Sequence, residues 1–236
     1  MRPRSPGSGS ALRRANPFTW LVLRLLATRD RFQTFAQVYA YFRWADDIVD
    51  APGRDPREVC AFAAGQDELI AGRRPPATPE EQGLVEALKV PAVRPAVHSM
   101  WSALVFDAAR GEEPLAPEAL DAQIARVGDA WTLAAAWAAG EDAALPGGVF
   151  ELARAATRVH TLRDVSVDLT LGYRNFPPSA TTDAGMRAWR REMAARARAG
   201  FAAGREALPG VRRRRARILL WLMALAGGLP LGWLFG

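Results

Sequence analysis

Apolar residues recur three and four positions apart along most of the chain, and no stretch alternates with the two-residue period of a strand. Asn16-Pro17 is a helix-start signal, and FTWLVLRLLA continues from it as a strongly apolar helix. A second helix is expected from about Arg31 to Asp50 and is broken by APGRDP (51–56). REVCAFAAGQDELIAG follows and ends in the loop RRPPATP (73–79), after which EEQGLVEAL forms a short helix. Residues 93–110, 117–139 and 148–171 read as three more, separated by GEEPLAP and GEDAALPGG. GYRNFPPSATT turns away from the third. An amphipathic segment from Asp183 to Leu208 and a last one starting near Val211 complete about eight or nine helices in one bundle. No internal repeat and no glycine-rich phosphate loop interrupts the pattern.

Composition agrees. Half of the 236 residues are hydrophobic, enough for a sizeable core, and alanine abounds while β-branched residues are few. The formal charge is +6, carried almost wholly by arginine, with Lys89 the sole lysine. Arginine forks onto phosphate oxygens, so phosphorylated ligands and anionic lipid both suit this charge, although GC-rich coding produces the same bias. Nucleic acid is not expected as a partner, because no basic run is interleaved with aromatics and no recognised module is present. Cys60 is the only cysteine, which excludes an internal disulfide and a cysteine zinc site and suits a cytoplasmic setting. Residues 1–15 have no apolar core of a signal peptide and read as a flexible basic tail.

RRRRAR (212–217) precedes 19 uncharged residues. That length is near the minimum for a membrane span, but Gly227, Gly228 and Pro230 interrupt it. Three readings fit: a core helix ending near Ala226 with an apolar tail over 227–236, interfacial binding to a membrane surface through 212–236, or a span.

Chemistry concentrates in two places. Asp46 and Asp50 stand at i and i+4 on one helix face, with Arg43 a turn earlier and Asp47 off that line. They end an apolar, aromatic stretch, YFRWADDIVD, where partly buried carboxylates need a partner. Asp164 and Asp168 repeat the spacing, preceded by Arg163. Solvated acidic helix faces are the plain alternative for each pair alone. Two such helices facing each other would instead clamp Mg²⁺, a hard cation often held by one or two carboxylates plus phosphate. Bound ions would hold a diphosphate and neutralise charge as it leaves.

VYAYFRWADDIVD (38–50) and LRDVSVDLTLGYRNFP (162–177) together resemble the two motifs of the squalene/phytoene synthase family, the head-to-head prenyl transferases. The 114 positions from Asp50 to Asp164 match the family separation, and ALVFDAARGEEPLAPEAL (103–120) resembles its middle segment. The resemblance implies an all-α, single-domain isoprenoid-synthase bundle over residues 16–226 with a central cavity. It implies that two prenyl diphosphates, farnesyl or geranylgeranyl, condense with release of diphosphate through an allylic cation and a cyclopropyl intermediate. Asp46, Asp50, Asp164 and Asp168 would hold Mg²⁺ and be catalytic, while Arg43, Arg163, Tyr39 and His160 would bind diphosphate.

The second motif departs from the family. Its usual Gln and Asn are Thr157 and His160, its Glu is Val167, and the Arg and Tyr after its Gly are Tyr173 and Asn175. No tyrosine lies between Tyr41 and Tyr173, where the family has one in a middle helix. A second expectation follows: a catalytically degenerate member that binds prenyl lipid or partners an active synthase at the membrane.

Overall fold

A computed structural model describes residues 8–51, 53, 55–109, 113–170 and 172–235. Among the described residues there are ten α-helices and no strand. They are α1 (Ser8–Ala15), α2 (Pro17–Leu26), α3 (Arg29–Val49), α4 (Pro56–Ile70), α5 (Pro79–Leu88), α6 (Arg94–Ala109), α7 (Pro117–Ala138), α8 (Phe150–Thr170), α9 (Asp183–Ala207) and α10 (Arg214–Phe235). The all-α expectation is met.

Local chemistry sets most of the boundaries. Asn16 caps α2 through the Thr19 amide, with Pro17 in its first turn. Asp55 and Pro56 do the same for α4. Thr78 and Glu81 form a reciprocal capping box at α5, and Thr182 caps α9 through the Gly185 amide.

Two expectations at the termini are corrected. The basic segment read as a flexible tail is helical from Ser8 to Ala15, because Leu12 is fully buried in the core and α1 packs on α3; residues 1–7 lie outside the described residues. The last helix does not stop near Ala226 but runs to Phe235. Gly227 is there for packing: a Cβ would lie 2.6 Å from the Ala156 Cβ on α8. No helix among the described residues is long and apolar enough to cross a membrane.

α8 is wedged between neighbours. It packs on α7, α9 and α10. At the α7 crossing a Cβ on Gly128 would sit 2.7 Å from the Arg154 backbone nitrogen, so only glycine lets the helices approach this closely. Beside it the Arg154 guanidinium donates to both oxygens of Asp129, at 2.7 and 2.9 Å. α3 packs on α1, α5, α6 and α7. The helices carrying the two aspartate motifs thus share α7 as a support, and they face each other across a cavity.

Candidate active site

The α3 stripe Tyr39, Arg43, Asp46 forms one wall of a cavity of about 670 Å³ whose opposite wall is Thr157, His160 and Asp164 of α8. The same three α3 residues, with Val127 and Trp131, also line a second cavity of about 330 Å³. That second space is walled by Phe35, Val38, Phe42, Met100 and Leu104 and is almost wholly apolar apart from Arg43, Asp46 and Asp107. Tyr39 and Trp131, with ring centres 6.2 Å apart, stand between the two. Two compartments therefore share one charged mouth.

At that mouth Arg43 donates to Asp46 at 3.2 Å and grips Asp47 as well. Asp47, off the motif line, thereby aims the arginine. Asp46 keeps 48% of its side chain open, yet it is recessed between the cavity walls. Burial, then the Asp50 carboxylate, pushes its pKa up to about 6 against the pull of Arg43. Asp107 adds to that repulsion and accepts from the Gln123 amide at 2.7 Å. Asp107 escapes the motif pattern; its one signal is that it ends the apolar run ALVF, as Asp46 follows an aromatic one. Burial also raises the Tyr39 pKa, so its ring keeps its proton.

On α8, Arg163 makes a two-pronged ion pair with Asp164, at 2.7 and 2.9 Å. Removal of water by the cavity walls, then Arg163, lowers the His160 pKa and leaves the imidazole neutral at pH 7. The outer aspartates are held differently. Asp50 is the C-cap of α3 rather than an interior position, and it accepts the Tyr173 hydroxyl at 2.6 Å. Asp168 accepts the Asn175 amide at 2.8 Å. Both donors lie on the turn after α8, where Gly172 adopts φ +86°, a conformation that L side chains rarely take. Two of the positions where the second motif departs from the family pattern, Tyr173 and Asn175, thus tether the last aspartate of each motif.

The structure brings Tyr39, Arg43, Asp46, His160 and Asp164 to one cavity, and Asp50 and Asp168 to one turn. It does not gather all four aspartates into a single cage: among the described residues no three His, Cys, Asp or Glu side chains are placed to hold one metal ion. The donor set still suits Mg²⁺. It is all carboxylate oxygen, and the Asp46–Asp50 repulsion is what a cation would relieve.

No protein-family model and no curated protein matches the chain. Solved structures do. A dehydrosqualene synthase in complex with ligand superposes with TM-score 0.72 at 18% identity, over 95% of this chain and 83% of that one. The squalene synthase HpnC from Alicyclobacillus acidocaldarius superposes with TM-score 0.68 at 22% identity, over 97% and 93%. An all-helical chain that superposes over nearly its whole length on both gives it a squalene/phytoene synthase-like fold.

Proposed function

We propose that the protein is a Mg²⁺-dependent prenyl transferase that condenses two prenyl diphosphates with release of diphosphate. The observation that carries this reading is the pair of cavities meeting at Tyr39, Arg43 and Asp46: two apolar chains need two spaces, and their reacting ends need one polar mouth. Farnesyl and geranylgeranyl diphosphate are the substrates of choice, and a cytoplasmic setting is compatible with lipid substrates.

Each residue has a task in this scheme. Arg43 and Arg163 exchange their aspartate partners for diphosphate oxygens, and neutral His160 adds an N–H donor. Mg²⁺ held by Asp46 and Asp50, and by Asp164 and Asp168, would supply electrostatic stabilisation of the leaving diphosphate. The allylic C–O bond breaks with its electron pair going to the diphosphate. The second chain's double bond provides the pair for the new C–C bond, and closure of the cyclopropane releases a proton that diphosphate accepts. Phe35, Phe42, Tyr39 and Trp131 keep water away and offer ring faces to the cation.

A second reading has its own observation. Arg163 is committed to Asp164, Asp50 to Tyr173 and Asp168 to Asn175. Such a site would bind prenyl diphosphate and not turn it over, serving a partner synthase. Incubation of the full chain with Mg²⁺ and each diphosphate, read as pyrophosphate release, separates the two. Turnover that Asp46→Ala and Asp164→Ala abolish supports the enzyme. Mg²⁺-dependent pyrophosphate binding without turnover supports the second reading, and absence of both overturns both.

A further inference from the structure

Eight large hydrophobic side chains are exposed among the described residues, and six of them lie on two neighbouring helices. Phe18, Leu21 and Leu25 form a stripe on α2 at i, i+3 and i+7; Ile218, Trp221 and Leu225 form the same stripe on α10. Leu25 is the extreme case, 71% exposed. α2 and α10 pack on each other, and the opposite side of each is core: Val22 and Leu23 on one, Leu219 and Leu220 on the other. Among the described residues nothing covers the outward stripes.

Charge says what covers them. α1, α2 and α10 contain Arg13, Arg14, Arg24, Arg214, Arg215 and Arg217 and not one Asp or Glu. Arg212 and Arg213 lead directly into α10. None of the eight forms an ion pair with a carboxylate among the described residues. Arg13 instead lies over Trp20 and Arg24 over Phe32. A second copy meeting this face about a two-fold axis would set arginine against arginine. A nucleic acid would meet the arginines but leave the six apolar side chains without a role. A bilayer with anionic headgroups satisfies both, with acyl chains under the stripes and phosphates on the arginines.

We propose that the α2–α10 face docks on the surface of a bilayer containing anionic phospholipid. The same two helices wall the larger cavity: Phe18 of the outward stripe lines it from α2, and Leu220, Met223 and Ala224, on the inward side of α10, line it behind the face. A long apolar molecule can therefore pass between the bilayer and the mouth formed by Arg43 and Asp46 without crossing open water. Docking itself is independent of the proposed reaction and is measured without Mg²⁺ or prenyl diphosphate.

The test is flotation of the full chain with phosphatidylcholine vesicles, with and without phosphatidylglycerol, at low and high salt. Binding should need phosphatidylglycerol and weaken as salt rises. Each arginine of 212–215 changed to Gln should lower affinity roughly fivefold. Leu25→Glu with Leu225→Glu, both at exposed positions, should abolish flotation while the circular dichroism spectrum is kept. Quenching of tryptophan fluorescence by brominated lipid should fall in Trp221→Phe, a readout that stands if the glutamate variant fails to fold. The proposal is overturned if the parent chain ignores phosphatidylglycerol vesicles, or if the folded variants float as the parent does. Sedimentation showing a dimer that Leu25→Glu disperses would overturn it too, by making a second copy the occupant.

Discussion

The Tyr173 hydroxyl donates to the Asp50 carboxylate at 2.6 Å, across 123 positions of sequence. Through this one bond the turn after α8 reaches the end of α3, and the two aspartate motifs become one mechanical unit. Asn175, two residues on, ties the same turn back to Asp168 on α8. A donor that fixes a metal-ligating carboxylate commonly governs metal affinity, by about 10–100-fold when removed.

Tyr173→Phe should therefore weaken Mg²⁺-dependent pyrophosphate binding by about 10–100-fold, with Mg²⁺-independent binding unchanged. Isothermal titration with and without Mg²⁺ reads both. A fall in thermal midpoint with no change in Mg²⁺ dependence would reduce Tyr173 to a structural tie.

How much of this was legible in the sequence depends on how local the cause is. Arg43 and Asp46 share a face by helical spacing alone, and the structure puts both at the cavity mouth. Asp50 obeys the same spacing but is spent as a C-cap and turns to Tyr173; no periodicity carries that. α1 was hidden because SGS lacks helix propensity, and only burial of Leu12 against the rest of the fold compensates. Gly227 and Gly228 read as helix breakers, whereas contact with Ala156 and Phe201 makes them the residues that let α10 lie close. Tertiary packing overrode local preference in each case. Asp107 needed the third dimension too, since it is an acid from α6 facing Asp46 on α3.

Behind the motif, α3 is anchored by a chain of buried polar groups. The Tyr41 hydroxyl donates to the Gln66 carbonyl at 2.9 Å, the Gln66 amide donates to Glu81 at 2.7 Å, and Arg74 closes on Glu81 at 2.5 Å. Burial alone would raise the Glu81 pKa, but Arg74, the Ala77 amide and Gln66 together hold it at about 2. With the folded pKa below the unfolded 4.5, the contribution is whole above pH 4.5 and is lost as pH falls towards 2. The shift corresponds to about 3 kcal/mol. Urea unfolding at neutral pH and at about pH 3 should show about 2 kcal/mol of that loss, since pH 3 still lies above the folded pKa. Glu81→Gln should be about 3 kcal/mol less stable at neutral pH, because Arg74 is left unpaired, and should show a much flatter acid dependence.

Gly128 sets how closely α8 lies on α7, and with it the position of Asp164 and His160. An added Cβ meets backbone, the Arg154 nitrogen at 2.7 Å and its Cα at 2.9 Å, so no side chain can swing aside to admit it. Gly128→Ala should destabilise by about 1–3 kcal/mol through overpacking. It should also lower pyrophosphate affinity although the residue touches no ligand-facing atom. Calorimetric melting with binding measured on the folded fraction separates the two effects. Unchanged affinity would show that α8 can shift without disturbing the mouth.

His160 stands where the family carries an amide, and its lowered pKa makes it a neutral donor at pH 7. One ring N–H can do what the amide does, provided the ring stays uncharged and open to the cavity it lines. Two substitutions then differ sharply. His160→Asn keeps a donor and should hold KM for prenyl diphosphate, or Kd for pyrophosphate where turnover is absent, within about fivefold. His160→Phe keeps the bulk, removes the donor and should weaken either by about tenfold or more, the worth of a hydrogen bond to a charged group. Because a histidine with a depressed pKa is already neutral through the physiological range, binding by the parent chain should show no His160-dependent inflection above pH 7. A limb in that range that vanishes in His160→Asn would mean that the imidazolium, not the neutral ring, meets the diphosphate.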